Sequence, residues 1–80
     1  MTIEPKQFDY IKRTLAAGVV ETMMERRGWS EDEAIRRFMK SVVYDRLSIE
    51  RTKVWHFSIP LLSELFEDEL RGDLVWPEEP

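Results

Sequence analysis

The sequence predicts an all-α fold: a small bundle with a single core, built from three main helices, or from four if the second is interrupted. In three separate stretches, apolar residues recur every three or four positions, which is the period of an amphipathic helix. Glycines follow the first and last stretches, and serines precede the second and third, as expected at helix ends. Only the segment 48–57 could be extended, and it has no partner strand.

Length and composition limit the chain to one small domain. Its 80 residues include no cysteine, which excludes disulfides and thiolate metal sites and makes the cytoplasm the expected compartment. No apolar run approaches the ~20 residues that a membrane-spanning helix needs, so we expect a soluble protein. We expect a helical domain over residues 1–72 and an acidic, proline-containing tail over residues 73–80.

Charge is distributed unevenly along the chain, whose formal net charge is −4. Residues 1–63 hold eleven Lys or Arg against nine Asp or Glu, whereas residues 64–80 hold seven acids against Arg71 alone. An acidic end suits a basic protein and disfavours broad binding to a phosphate backbone. We therefore expect a protein partner rather than nucleic acid or a membrane.

The first helix is predicted over Pro5–Arg27. Proline suits a first helical turn, and Gly28 suits the left-handed residue that ends a helix. Gly18 lies in the middle of this helix, where it costs about 1 kcal/mol relative to alanine. We favour close packing of another backbone against Gly18 over a break in the helix.

The second helix is predicted to begin at Glu31. Ser30 and Glu33 match a capping box, in which the serine oxygen accepts a backbone N–H and the glutamate reaches back to the serine's own N–H. The helix extends either to Leu47 or only as far as Ser41, which could cap a separate short helix.

The third helix is predicted over Ile59–Arg71, between a capping Ser58 and Gly72. The connector 48–57 is apolar enough to lie against the core. The residues predicted to form that core are Phe8, Ile11, Leu15, Val19, Met23, Ile35, Phe38, Met39, Tyr44, Leu47, Trp55, Leu62, Leu65 and Phe66.

The sequence predicts no catalytic, cofactor-binding or metal-binding residue. His56 is the only histidine, so neither a second histidine nor a cysteine can complete a zinc site, and we interpret it as a packing residue. Helix capping and solvated helix faces explain the carboxylates, and the serines lie at caps. We expect a non-enzymatic protein, with a small enzyme of unrecognised site as the third hypothesis.

Residues 25–39 also have the outline of a helix-turn-helix, with Arg36, Arg37 and Lys40 on the second helix. A recognition helix presents its N-terminal residues to base edges, and here those residues are acids that phosphates would repel. We therefore prefer a protein-binding module and keep a DNA-binding regulator as the alternative.

The surface predicted to bind a partner is the acidic third helix together with the tail. Glu64, Glu67 and Asp68 are three and four positions apart, so they share a helix face. Asp73 and Trp76 follow, and tryptophan is enriched among the residues that dominate binding energy. We expect these charges to steer a basic protein that an exposed Trp76 anchors.

The order of residues from Val19 to Leu70 resembles a family of short bacterial helical proteins catalogued as domain of unknown function 3791. The match rests on caps and apolar positions, namely Gly28, Ser30, Glu33, Ala34, Phe38, Ser41, Tyr44, Leu47, Thr52, Val54, Trp55, Ser58, Leu65, Glu69 and Leu70. Such proteins are often encoded beside a domain resembling ADP-ribosyltransferases. The resemblance therefore implies an accessory or antitoxin-like partner of a larger bacterial protein, without catalytic residues.

Overall fold

The computed structural model describes residues 4–76, which form α-helices and short 3₁₀ turns but no strand. In chain order the helices are α1 Pro5–Arg27, α2 Glu31–Met39, α3 Val42–Leu47 and α4 Ile59–Arg71. The 3₁₀ turns Glu50–Thr52 and Val54–His56 connect α3 to α4. The predicted all-α bundle is confirmed, in the form that interrupts the second helix.

Local sequence explains where the helices begin and end. Gly28 and Gly72 adopt left-handed conformations, with φ of 68° and 81°, and end α1 and α4. Ser30 and Ser58 each accept a hydrogen bond from the backbone N–H three residues further on. Only this half of the predicted capping box is present. The Glu33 carboxylate accepts a hydrogen bond from Arg37, in the last turn of the same helix, instead of one from the N–H of Ser30.

The chain turns at Ser41, between α2 and α3. The Ser41 hydroxyl accepts the N–H of Tyr44 at 3.0 Å and donates to a carbonyl at the end of α2. The carboxylate of Glu69, on α4, accepts the N–H groups of Val42 and Val43 at 2.9 and 3.1 Å. A distant residue thus completes the N-terminal cap of a helix that is too short to be stable alone.

The core lies where the helices and the connector meet. Its buried apolar residues are Val19, Met23, Phe38, Val43, Leu47, Val54, Leu62, Leu65 and Phe66. Phe38 packs edge-on against the rings of Tyr44 and Phe66, with ring centroids 5.5 and 5.2 Å away. Most of the predicted core is therefore confirmed as fully or partly buried.

Two predicted core residues lie on the surface: Ile35 is 38% exposed and Met39 is 56% exposed. The apolar side chains of α2 form two adjacent rows, about 100° apart around the helix axis. The row of Ala34 and Phe38 faces the core, which leaves the row of Ile35 and Met39 outside. Val43 is buried instead, because the turn at Ser41 resets the helical phase.

Helix α4 packs closely against α1 at Gly18, but the contact is made by the side chain of Ile59 and not by the backbone that was expected. A Cβ atom placed on Gly18 would lie only 2.8 Å from Cγ1 of Ile59, so any larger residue would displace that side chain. Ser63, one turn further along α4, is fully buried, and its hydroxyl has no hydrogen-bond partner within the described residues.

The connector 48–57 lies against the core, as predicted. Val54 is buried, and the ring of Trp55 packs edge-on against Phe8 with centroids 6.1 Å apart. Beyond α4, Leu74 and Trp76 also pack against the core, whereas residues 77–80 of the predicted tail lie outside the described part of the chain.

Membrane crossing would require a long apolar helix, and residues 4–76 contain none that qualifies. Helix α1 has sufficient length, 23 residues, but its sequence carries too many charged side chains.

Candidate functional site

Two of the acidic side chains predicted to bind a partner are bonded to α1. The guanidinium of Arg26 lies 2.8 Å from Oε2 of Glu67 and 3.6 Å from Oε1 of Glu64. The Nε of Arg27 donates to Oε1 of Glu67 at 3.2 Å. These ion pairs join the end of α1 to α4, so part of the predicted acidic surface serves to connect two helices.

The pKa of the Glu67 carboxyl lies below its usual value. The hydrogen bond from Arg26 lowers the pKa of its carboxyl, burial opposes this change, and the hydrogen bond from Arg27 lowers the pKa further. Both arginines also favour the ionised form through their charge. Glu67 is therefore held as a carboxylate by the helix that it contacts.

Two more of the predicted site residues, Asp68 and Trp76, also interact with other residues of the chain. Asp68 accepts a hydrogen bond from Arg71, on the same helix. Trp76 is half-buried against the core, and the guanidinium carbon of Arg46 lies 4.8 Å from its ring centroid. The expectation of an exposed Trp76 is thus corrected, whereas the side chain of Asp73 is exposed.

A different surface is open, an apolar groove of about 310 Å³ between α1 and α2. Its lining consists of Ala16, Ala17, Val20, Glu21, Glu31, Ile35, Phe38, Met39 and Tyr44. The exposed row of Ile35 and Met39 forms one wall, and the buried ring of Phe38 connects the groove to the core. We call these nine residues the α1–α2 groove.

The charged residues of the α1–α2 groove are two glutamates, one on each helix. Glu21 lies on α1, two turns before the end of that helix, and Glu31 is the first residue of α2. Both are exposed, and neither carboxylate has an ion pair or hydrogen bond with another described residue. In contrast to Glu67, these carboxylates are available to a ligand.

The basic residues considered for DNA binding are only partly available. Arg37 donates to the Glu33 carboxylate, and its guanidinium carbon lies 4.8 Å from the ring centroid of Trp29. Arg36 and Lys40 are exposed and have no such partner within the described residues. The acidic first turn of α2 precedes them on the same helix.

His56 stacks on Trp55, with ring centroids 3.9 Å apart and an interplanar angle of 27°. It is exposed at the surface of the connector. Across the part of the chain that the structure describes, no group of three or more histidine or acidic side chains is placed to hold a metal ion.

The sequence carries one feature of the α1–α2 groove, the width of the apolar face of α2. The four apolar residues Ala34, Ile35, Phe38 and Met39 span about 140° around the helix axis, and the core covers only the row of Ala34 and Phe38. An apolar surface wider than the core contact indicates that one row remains uncovered.

The chain matches no protein-family model, no curated protein and no solved structure.

Proposed function

We propose that this chain is a non-enzymatic protein-binding module and that the α1–α2 groove binds its partner. The observation that carries the proposal is the exposed row of Ile35 and Met39 beside an open apolar groove. Exposed apolar surface next to polar residues is typical of interaction sites, because association removes it from water. The groove also contains carboxylates that have no partner within the described chain.

The family resemblance implies the first partner to test, a larger bacterial protein resembling ADP-ribosyltransferases, whose gene we expect beside the gene of this chain. We propose that the chain is its accessory or antitoxin-like subunit. The purified product of the neighbouring gene is therefore the first binding candidate.

The test compares two variants that each place a charge on an exposed apolar position. Met39→Asp puts a carboxylate in the groove, and Val75→Asp puts one at a position that is 78% exposed and outside it. We expect Met39→Asp to weaken binding at least about tenfold and Val75→Asp to leave it unchanged. Calorimetric titration measures the affinity, and circular dichroism confirms that both variants are folded.

The result against this proposal is a partner that binds Met39→Asp as tightly as the parent chain. If Trp76→Ala or Glu64→Lys with Asp68→Lys abolishes binding instead, the interface is the acidic surface that the sequence predicted.

A second candidate function, DNA binding, is favoured by one observation, the exposed Arg36 and Lys40 without partners among the described residues. The three acids in the first turn of the same helix oppose it, because phosphates repel them. A gel-shift assay on genomic fragments at increasing salt separates the two functions. DNA binding predicts a salt-dependent shift that Arg36→Ser with Lys40→Ser removes.

A further inference from the structure

We propose that the α1–α2 groove binds an amphipathic helix that carries a lysine or arginine next to its apolar face. This inference rests on the proposed function, since it names the partner of the same groove. It goes further by specifying the secondary structure, the length and the charge of the segment that binds.

The shape of the groove and the fold around it favour a helix. Residues 4–76 contain no strand, so these residues offer no sheet edge to which a partner strand could pair. The groove instead lies between two helices, and a third helix packs into such a groove through its own ridge of side chains. An apolar helix face in a groove is a common mode of peptide recognition.

The groove extends along α2 from Glu31 to Met39. At a rise of 1.5 Å per residue, this segment is about 12 Å long, or about two helical turns. A bound helix would therefore place two or three apolar side chains in the groove, at i, i+3 or i+4, and i+7.

The charge of the partner follows from the carboxylates in the groove that have no ion-pair partner within the described residues. Glu64 and Glu67 are paired with Arg26, and Asp68 is paired with Arg71. Glu21 and Glu31, in contrast, have no such partner within the described residues, and both line the groove. A cation at the edge of the apolar face of the bound helix would lie beside one of these carboxylates.

The test uses two synthetic helical peptides of about 16 residues with the same leucine face. One peptide carries two lysines that flank the leucine face, one on each side, and the other carries two glutamates at the same positions. We expect the lysine peptide to bind roughly tenfold more tightly at low salt, with a difference that decreases as salt screens the charges. Fluorescence anisotropy measures both affinities.

Charge reversal in the chain provides the matched controls. Glu21→Lys with Glu31→Lys should reverse the preference, so that the glutamate peptide binds more tightly. Glu64→Lys with Asp68→Lys changes the charge by the same amount outside the groove and should preserve the preference for lysine.

Several results would overturn the inference. Equal binding of both peptides, with both lost in Met39→Asp, would retain the groove as a binding site but reject the basic partner. Binding that Met39→Asp does not affect would reject the groove and the proposed function together. Binding of neither peptide would reject the amphipathic helix. A chain that sediments as a dimer, and that Met39→Asp converts to a monomer, would assign the groove to a second copy of this chain.

Discussion

The contacts of α1 with α4 and with α2 differ in how many apolar side chains stay exposed and how many carboxylates stay without a partner among the described residues. Toward α4, Ile59 packs on Gly18, and Glu67 binds both arginines at the end of α1. Toward α2, the apolar row of Ile35 and Met39 remains exposed, and the nearby carboxylates have no partner in the described chain. We infer that the α1–α4 contact stabilises the fold, whereas the α1–α2 groove is available for binding.

The largest effect is expected at Phe38, which belongs to the core and also lines the α1–α2 groove. Phe38→Ala would remove the ring that packs against Tyr44 and Phe66 and leave a cavity between three helices. We expect a loss of about 3–5 kcal/mol in the free energy of unfolding, enough to unfold much of so small a domain. Urea denaturation followed by circular dichroism measures it. A loss below about 1 kcal/mol would contradict this core.

The next largest effect is expected at Glu69, on α4. Its two carboxylate oxygens each accept one N–H group at the start of α3, so Glu69→Gln keeps one neutral acceptor and turns an NH2 donor toward the other N–H. We expect a loss of about 1–2 kcal/mol, because hydrogen bonds to charged groups are stronger than those to neutral groups. Glu64→Gln is the matched control and should change the stability by less than about 0.5 kcal/mol. Equal losses of stability in both variants would show that the Glu69 carboxylate does not stabilise the fold by capping α3.

A smaller, pH-dependent effect is expected at Glu67. Because its pKa is lowered in the folded state, the ionised carboxylate stabilises the fold above the pKa of the unfolded chain. That contribution is lost as the pH falls through the lower pKa of the folded state. We therefore expect Glu67→Gln to cost up to about 1 kcal/mol near neutral pH and progressively less below about pH 4. Urea denaturation of both proteins across this pH range measures the difference, and a cost that grows toward acid would contradict the ion pairs.

The smallest effect is expected at Met39, in the α1–α2 groove. Met39→Gln retains helix propensity and a similar length, and the side chain is already 56% exposed. We expect the free energy of unfolding to change by less than about 0.5 kcal/mol. Thermal and urea unfolding measure it, and a loss above about 2 kcal/mol would place Met39 in the core, as the sequence had predicted.

The parts of the fold that follow from the sequence are those with local causes. Ser30, Ser58, Gly28 and Gly72 mark helix ends through their own conformations and through bonds to residues at most five positions away. Most residues on which the family resemblance rests are such caps or buried positions. The resemblance therefore describes how the chain folds more than what it binds.

The parts that the sequence did not predict depend on contacts between distant residues. Glu69 caps α3 from 26 and 27 positions away, and Arg26 binds Glu67 across 41 positions. Helical periodicity places acidic residues on one face but contains no information on which face another helix will neutralise. For the same reason, it could not distinguish Met39, which is exposed, from Phe38, which is buried one position earlier.

The most direct test of the central claim is an NMR titration of the isotope-labelled chain with the lysine peptide, followed through the backbone amides. If the α1–α2 groove is the binding surface, the largest shifts will lie in residues 16–21 and 31–39, and residues 64–68 will change little. Shifts concentrated in residues 64–68 and 73–76 would contradict the claim. They would show that binding occurs at the acidic face that the chain otherwise uses to hold α4 against α1.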